Sequence, residues 1–372
     1  MKKLGEIATF SKGKGISKSE IEENGITECI RYGELYTHYR EVINEIKSRT
    51  NVDKSALVLS EENDVIIPAS GETTIDIATA SCVLKPGIAL GGDLNIIKSK
   101  NDGVFLSYYL NSKKKMEIAN LAQGISVVHL YSSQLASLSL SLPTNQEQEK
   151  ISTFLAKISE RIDCSIKIIN DLKTLKIATA KKIFSGELRF KDDNGNDFPE
   201  WEVREVGEVF KITRGNVLAM NLVSNQCNEK NTYPVYSSQT KNNGLAGYYT
   251  DFLFEDAITW TTDGANAGDV NYRSGKFYCT NVCGVLISNE GYANSCIAEL
   301  INSVSKNYVS YVGNPKLMNG VMSEIKIPFP SLPEQTKIAN FLSAIDSKID
   351  MENQLLQKLE EQKKYLLQNM FV

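Results

Sequence analysis

The chain has 372 residues, more than one ordinary domain contains, so we expect two domains or an internal repeat. Hydrophobic residues make up 42% and charged residues 23%, close to the average of globular proteins, which argues against long disorder and collagen-like structure. The formal net charge of −4 argues against a protein that coats nucleic acid by charge alone, but it allows specific binding through a local patch.

No apolar run approaches the roughly 18 residues of a membrane span, and the start of the chain lacks the apolar stretch of a secretory signal. We therefore expect a cytoplasmic protein that contacts no membrane. The seven cysteines form no Cys-x-x-Cys pair and the chain has two histidines, whereas a zinc site needs about four well-spaced ligands. We predict free, mostly buried thiols and no metal site.

The first 142 residues combine short β-type runs, at 64–68 and 95–98, with a predicted helix over 104–121. This mixture indicates an α+β domain over residues 1–142. A long helix is predicted over 143–190, because no Pro or Gly occurs between positions 146 and 184.

The second half of the chain mirrors the first. A polar, turn-rich linker is predicted at 191–200, and a second α+β domain at 201–333. The strand-like runs of that domain are 257–260 and 282–287, with a helix near 293–302. A second long helix is predicted over 334–372.

An internal repeat supports this plan. Residues 147–184 align without a gap with 334–371 at an offset of 187, and the identical pairs include Glu147/Glu334, Gln148/Gln335 and Phe154/Phe341. A second echo, at an offset of 202, pairs Lys12-Gly13 with Arg214-Gly215. Between these anchors the halves differ, which indicates a duplicated scaffold carrying two different recognition surfaces.

Both long helices carry an apolar stripe with steps of four and three residues, the pattern of a coiled-coil seam. Matching stripes favour pairing of the two helices, and the alternative is that each helix packs on its own domain. At 1.5 Å per residue each helix would be about 57 Å long. The predicted pairing residues are Ile151, Leu155, Ile158, Ile162, Ile169 and Leu172 in the first helix, and Ile338, Leu342, Ile345, Ile349, Leu356 and Leu359 in the second.

Motifs of enzymes are missing or incomplete. The Gly13-Lys14-Gly15 run lacks the spacing of a phosphate-binding loop, and the Asn/Asp-Pro-Pro-Phe/Tyr motif of an amino-methyltransferase does not occur. The Glu324-Ile325-Lys326 run looks like the end of a nuclease motif but has no matching upstream Pro-Asp. We predict a binding subunit without catalytic residues.

The order of these parts resembles the specificity subunit of Type I restriction–modification systems. The matching stretches are Leu142-Pro143 followed by Gln146 to Ile151, Leu332-Pro333 followed by Glu334 to Ile338, and Phe198-Pro199-Glu200-Trp201 before the second domain. The first domain departs from the pattern, because it begins at Lys2-Lys3-Leu4 without a Phe-Pro-x-Trp lead.

The resemblance implies two target recognition domains that each read one half of a split site in double-stranded DNA. It implies that the two helices form an antiparallel coiled coil, which acts as a spacer and docks two methyltransferase (modification) subunits. ATP-dependent restriction subunits would join the complex for cleavage. This chain would bind no cofactor, and S-adenosylmethionine, ATP and magnesium would belong to the partner subunits.

No family motif fixes the base-reading residues, so we select them on physical grounds. Arg and Lys suit guanine, and Asn and Gln suit adenine, in the major groove. The selected residues lie in polar, glycine-rich loops: Lys12, Lys14, Gln123 and Ser126 in the first domain, and Arg214, Ser238, Asn242 and Lys316 in the second.

Two other hypotheses remain open at this point. One is a coiled-coil adaptor with two peptide-binding domains, which the near-neutral charge allows. The other is a stand-alone nuclease that uses Glu324 and Lys326.

Overall fold

The computed structural model describes residues 1–238 and 242–371 and divides the chain into two compact units. Unit 1 contains Met1–Lys167 and the chain from Asn353 onwards, and unit 2 contains Ile168–Glu352. The prediction divided the chain into five consecutive segments, with each long helix as a segment of its own. In the structure each long helix contributes one part to each unit.

Unit 1 combines short strands with short helices. Its strands are β1 (Lys2–Lys3), β2 (Ala8–Lys12), β3 (Thr27–Ile30), β4 (Val42–Ile43), β5 (Ser48–Thr50), β6 (Val58–Leu59), β7 (Asp64–Pro68), β8 (Ser70–Gly71), β9 (Ser81–Val83), β10 (Ala89–Leu90), β11 (Leu94–Ser99), β12 (Val128–His129) and β13 (Ser139–Leu140). Its helices are α1 (Leu4–Ile7), α2 (Glu34–Thr37), α3 (Thr74–Ile77), α4 (Gly103–Ser112), α5 (Lys115–Leu121), α6 (Ser132–Ala136) and the first part of α7 (Asn145–Phe184).

Unit 2 has fewer and longer strands. They are β14 (Glu202–Glu205), β15 (Lys211–Arg214), β16 (Tyr233–Tyr236), β17 (Leu245–Tyr249), β18 (Phe254–Thr261), β19 (Val270–Cys279), β20 (Cys283–Ile287) and β21 (Lys326–Phe329). Its helices are the rest of α7, α8 (Val206–Val209), α9 (Ser295–Ser305), α10 (Asn319–Ser323) and the first part of α11 (Leu332–Asn369). Mixed sheets and helices in both units confirm the predicted α+β class.

The two units share one strand order. The main sheet runs β2-β11-β7-β9-β4 in unit 1 and β15-β20-β18-β19-β16 in unit 2, where β17 adds a sixth strand. The first three pairings are antiparallel and the fourth is parallel in both sheets. Unit 1 also contains a four-stranded sheet, β5-β3-β10-β6. The duplicated scaffold inferred from short sequence echoes is therefore a duplicated sheet.

The opening strands match as well. Strand β1 pairs with β13 over two residues, and β14 pairs with β21 over four. In each unit the next residue donates a backbone hydrogen bond back to the segment before the closing strand, from Leu4 to Leu138 (2.8 Å) and from Val206 to Ile325 (3.0 Å). The first domain thus has the same opening in a shortened form.

The helix predicted over 104–121 is interrupted. It forms α4 and α5, with a break at Lys113 and Lys114. The side chain of Asn111 bonds to the backbone of Ala80 in both directions (2.7 Å each), and Ser112 donates to the Leu367 carbonyl (2.6 Å). These two side chains fix the end of α4 against its surroundings, and the chain restarts as a second helix.

The repeated Glu-Gln motif anchors each long helix to its domain. Gln148 and Gln335 are 1% and 0% exposed. Gln148 accepts from the backbone N–H of Asp102, the N-cap of α4 (3.2 Å), and Gln335 accepts from the side chain of Asn294, the N-cap of α9 (2.8 Å). The glutamines are thus conserved between the repeats because both join a long helix to the start of a domain helix.

The segment after α7 is held against the start of α11. Helix α7 ends at Phe184 rather than near 190, and Arg189 donates to Glu334 from Nε (2.8 Å) and Nη2 (3.1 Å). Trp201 Nε1 donates to the same carboxylate (2.8 Å). In the linker, the carbonyl of Lys191 accepts from Lys337 (2.7 Å). The predicted linker is therefore an anchored turn.

We expect Glu334→Ala to destabilise unit 2 by about 2–3 kcal/mol, because it removes the buried acceptor that the guanidinium of Arg189 and the Trp201 N–H share, while Arg189 keeps the Pro199 carbonyl as a partner. Glu334 is fully buried, whereas its repeat partner Glu147 is exposed. Glu147→Ala is the matched control and should cost less than about 1 kcal/mol. Urea unfolding followed by tryptophan fluorescence reports on unit 2, which contains both Trp201 and Trp260. Equal losses for the two variants would contradict this account.

The two long helices pair antiparallel within each unit. In unit 1 the early residues Ile158 and Ile162 of α7 form an apolar cluster with Leu359 near the end of α11. In unit 2 the late residue Ile183 of α7 lies in one core with Ile338 near the start of α11. This arrangement confirms pairing of the helices.

The stripes also serve the domain cores. Leu155 packs in the unit 1 core with Phe105, and Ile151 lies against its edge. Leu342 packs in the unit 2 core with Ile338. The helices are therefore not independent, and different parts of each stripe contact the other helix and a domain core.

Candidate nucleic-acid interface

The first selected residue of each domain ends an equivalent strand. Lys12 closes β2 and Arg214 closes β15, and the glycine that follows each turns the chain tightly. Gly13 donates to the Leu94 carbonyl and Gly215 to that of Cys283, both at 3.0 Å. A Cβ at either glycine would lie about 2 Å from a backbone carbonyl oxygen (1.9 Å and 2.2 Å). The Lys-Gly and Arg-Gly echo thus marks one tight turn in both sheets.

In unit 1 the turn is joined to a second loop by aromatic rings. The Lys12 ammonium lies 6.0 Å from the ring centroid of Tyr131, which stacks with His129 at 6.4 Å. His129 and Gln123 exchange two backbone hydrogen bonds (2.9 and 2.7 Å). Lys12 and Gln123 are therefore brought to one surface, with the exposed loop residue Ser126 on the same connection as Gln123.

Lys14 lies on the other side of the turn, where its backbone N–H donates to Leu90 (3.0 Å). Next to it is a pocket of about 480 Å³ whose lining includes Gly15, Lys18 and Arg31. Within the part of the chain that the structure describes, Arg31 Nε is buried without a hydrogen-bond partner. Arg31 was not among the selected residues, because a single arginine after a short strand gives no sequence signal.

In unit 2 the selected residues lie around one loop. Arg214 donates to Asn319 (3.3 Å) and lies 3.8 Å from the Asp263 carboxylate. Lys316 pairs with Asp263 in an isolated β-bridge, and the carbonyl of Ser238 accepts from Asn266 (3.1 Å). The loop from Asp263 to Asn266 thus connects three selected residues that are far apart in sequence.

The fourth selected residue, Asn242, has a left-handed backbone (φ 50°) and begins the short turn Asn242–Gly244. That turn borders a polar pocket of about 290 Å³, whose lining includes Asn266, Asn271 and Arg273. The sequence did not single out Arg273. The neighbouring Arg-Ser-Gly run is typical of a turn, but in the structure it lies inside strand β19.

One basic residue of α7 has a structural role. Lys176 donates to Glu299 (2.7 Å) and Asp346 (2.9 Å). Burial lowers the pKa of its ammonium, but these two hydrogen bonds outweigh burial and leave the pKa raised. Lys176 therefore holds α9 and α11 against α7 and is engaged within the protein.

The nuclease hypothesis gains no support from the geometry. Lys326 is paired with Glu205 (3.5 Å), and Glu324 is the C-cap of α10. Among residues 1–238 and 242–371, no group of three His, Cys, Asp or Glu side chains could hold a metal ion.

The cysteines are free thiols. Five of them are buried and two, Cys164 and Cys227, are exposed. No helix in these ranges is long and apolar enough to cross a membrane.

Comparison with known proteins identifies the scaffold. A family model described as Type I restriction modification DNA specificity domain matches residues 1–174 and 199–361. A protein of Mycoplasma pneumoniae described as a type I specificity subunit is 32% identical over 238 residues, which cover 62% of this chain and 91% of the relative. The specificity subunit of the MpnII restriction enzyme from the same organism is 36% identical over 149 residues, covering 39% of this chain and 44% of the relative.

Solved structures have the same fold. The crystal structure of the S subunit of a Type I restriction–modification system from M. genitalium matches with a TM-score of 0.73 at 19% identity, covering all of this chain and 95% of that one. A chain from a study of assembly and conformational transition of a type I restriction–modification system matches with a TM-score of 0.54 at 14% identity, covering 99% and 96%. The family model covers both domains and most of the chain, and this chain belongs to the family of Type I restriction–modification DNA specificity proteins.

Proposed function

We propose that each of the two domains reads one half of a split site in double-stranded DNA. The observation that carries this proposal is the shared main sheet, which presents different polar loops at its two copies of the Lys-Gly or Arg-Gly turn. A shared strand order with different loops suits two half-sites of different sequence. The paired helices then set the number of unread base pairs between them.

Partner docking is part of the proposal. The repeat pair Phe154 and Phe341 lies on the two long helices, and these side chains are 46% and 38% exposed. The Phe341 ring also contacts Phe190, with centroids 5.6 Å apart, and keeps a part of its surface exposed. Partly exposed aromatic residues at equivalent positions suit two copies of one partner, because a repeated surface offers a similar contact twice. We assign these positions to the two methyltransferase subunits, to which restriction subunits would add for cleavage.

The chemistry would belong to the partners. S-adenosylmethionine would be bound by the methyltransferase subunits, and ATP and magnesium by the restriction subunits. This chain would supply recognition and spacing and no catalytic residue.

Methylome sequencing tests the function directly. A host expressing this chain with its methyltransferase subunit should carry methyladenine in a split motif on both strands, and deletion of this chain should remove that methylation. If methylation of the split motif persisted after deletion of this chain, the proposal would be wrong. Absence of methylation in a host where the two subunits co-purify would show that the complex does not recognise DNA as proposed.

A further inference from the structure

The polar pocket of unit 2 contains an unusual charge. Arg273 is 8% exposed and lines the pocket together with the exposed loop residue Asn243 and the half-buried Asn266. Its Nε donates to Thr259 Oγ1 (3.0 Å) and its Nη2 donates to the Asn243 carbonyl (2.7 Å). The ring centroid of Tyr236 lies 3.8 Å from the guanidinium carbon. All of these partners are neutral.

The positive charge of Arg273 has no counter-ion in the described residues. No carboxylate oxygen in ranges 1–238 and 242–371 lies within 4.0 Å of the guanidinium. The pocket residue Asp269 instead pairs with Lys306 at 2.9 Å. Burial lowers the pKa of Arg273, and only Tyr236 and two thiols oppose that shift. A buried cation without an anion is costly, so an anionic ligand would be strongly favoured here.

The scaffold itself does not require this arginine. In the shared strand order, β7 and β9 of unit 1 correspond to β18 and β19 of unit 2. Arg273 of β19 lies opposite Ala257 of β18, and at the corresponding position Val83 of β9 lies opposite Asp64 of β7. The ladders therefore place Val83 of unit 1 where unit 2 has Arg273, and Ile66 where it has Thr259. Ile66 and Val83 pack in one apolar cluster. The same sheet is built with an apolar pair in one domain and an Arg–Thr pair in the other, so packing alone does not explain Arg273.

We propose that Arg273 and the asparagine-lined pocket form an anion site that seats one backbone phosphate of the bound DNA. The pocket is lined by Asn243 of the turn and by Asn266 of the loop; Asn243 follows the selected residue Asn242, and Asn266 donates to the carbonyl of the selected residue Ser238. Asparagine amides and a guanidinium donate hydrogen bonds to phosphate oxygens, and such contacts fix the register of a protein on the duplex. This inference rests on the proposed function only for the source of the phosphate.

The site can be tested without DNA. Inorganic phosphate, compared with chloride at equal ionic strength, should raise the melting temperature of the full chain by about 2–4 °C, because an anion that binds only the folded pocket stabilises the folded state. Arg273→Met should abolish that shift while leaving the melting temperature in chloride unchanged or higher, because it removes an uncompensated buried charge. Arg204→Met removes a half-buried arginine of the same unit that is paired with Glu202 and does not line the pocket, and it should keep the phosphate shift.

A wild-type chain that does not respond to phosphate would overturn the site. So would a lower melting temperature of Arg273→Met in chloride, because that result would make Arg273 a structural residue. A shift that depends on Arg273, in a chain whose complex does not bind DNA, would support the anion site and refute the proposed function.

DNA binding by the complex with methyltransferase subunits identifies the source of the phosphate. Arg273→Met should weaken DNA binding about ten- to hundredfold. It should also make the slope of log K against log salt concentration less steep by about 0.9, because one phosphate contact is lost. Sequence preference should stay the same, since phosphate contacts carry no base information. Relaxed preference at one base pair would show that the pocket reads a base and would overturn the phosphate assignment.

Discussion

Replacing residues 1–142 with the corresponding region of another specificity protein should change one half of the methylated DNA motif and leave the other half as it was. The replaced region contains the whole five-stranded main sheet of unit 1 and the selected residues Lys12, Lys14, Gln123 and Ser126. The main sheet and loops of unit 2 are untouched by the exchange. We therefore expect one new half-site joined to the original second half-site.

The design must respect two contacts across the exchange point. Gln148 on α7 accepts from the backbone of Asp102, and Leu155 packs with Phe105 in the unit 1 core. A donor region needs a residue other than proline at the position of Asp102, since the bond comes from its backbone N–H, and an aromatic residue at the position of Phe105; otherwise unit 1 loses a buried hydrogen bond or core packing. The reciprocal exchange of residues 201–331 is the control and should change only the other half-site. A methylome in which a single exchange alters both halves would refute the modular reading.

The sequence predicted the scaffold because the repeated positions carry fixed structural tasks. Gln148 and Gln335 must bond to a helix cap, and Gly13 and Gly215 must pass close to a carbonyl oxygen. Such positions tolerate few residue types, so the repeat is still readable there. The apolar stripes of the long helices were readable for the same reason, because a buried seam limits the choice of side chain.

The candidate interface was predictable only in part. Lys12 and Arg214 follow from the repeat, but the joining of Arg214 to Lys316 through Asp263 depends on a β-bridge between distant segments. The sequence did not single out Arg273 for another reason. Its strand contains a glycine two residues later and its partners Thr259 and Asn243 come from elsewhere in the chain, so no local pattern marks it. The base-reading residues therefore stay predictions.

Ile158→Asp or Ile345→Asp should separate the paired helices. The two isoleucine side chains are each 7% exposed, and Ile158 packs with Ile162 and Leu359. An ionised carboxylate in an apolar seam has no partner, so we expect each variant to lose more than about 3 kcal/mol of stability. Loss of the helix pair should also weaken assembly with the methyltransferase subunits, since both helices carry the proposed docking positions.

Ile177→Asp provides a matched control on the same helix. Ile177 is 71% exposed, so the same substitution there leaves the seam intact and should change stability by less than about 0.5 kcal/mol. Urea unfolding measures the stability of each full-length variant, and size-exclusion chromatography measures assembly. If Ile158→Asp kept both wild-type stability and an intact complex, the apolar seam would not be what joins the helices. If it lost stability but still assembled, docking would depend on one helix alone, because a separated pair cannot present both surfaces together.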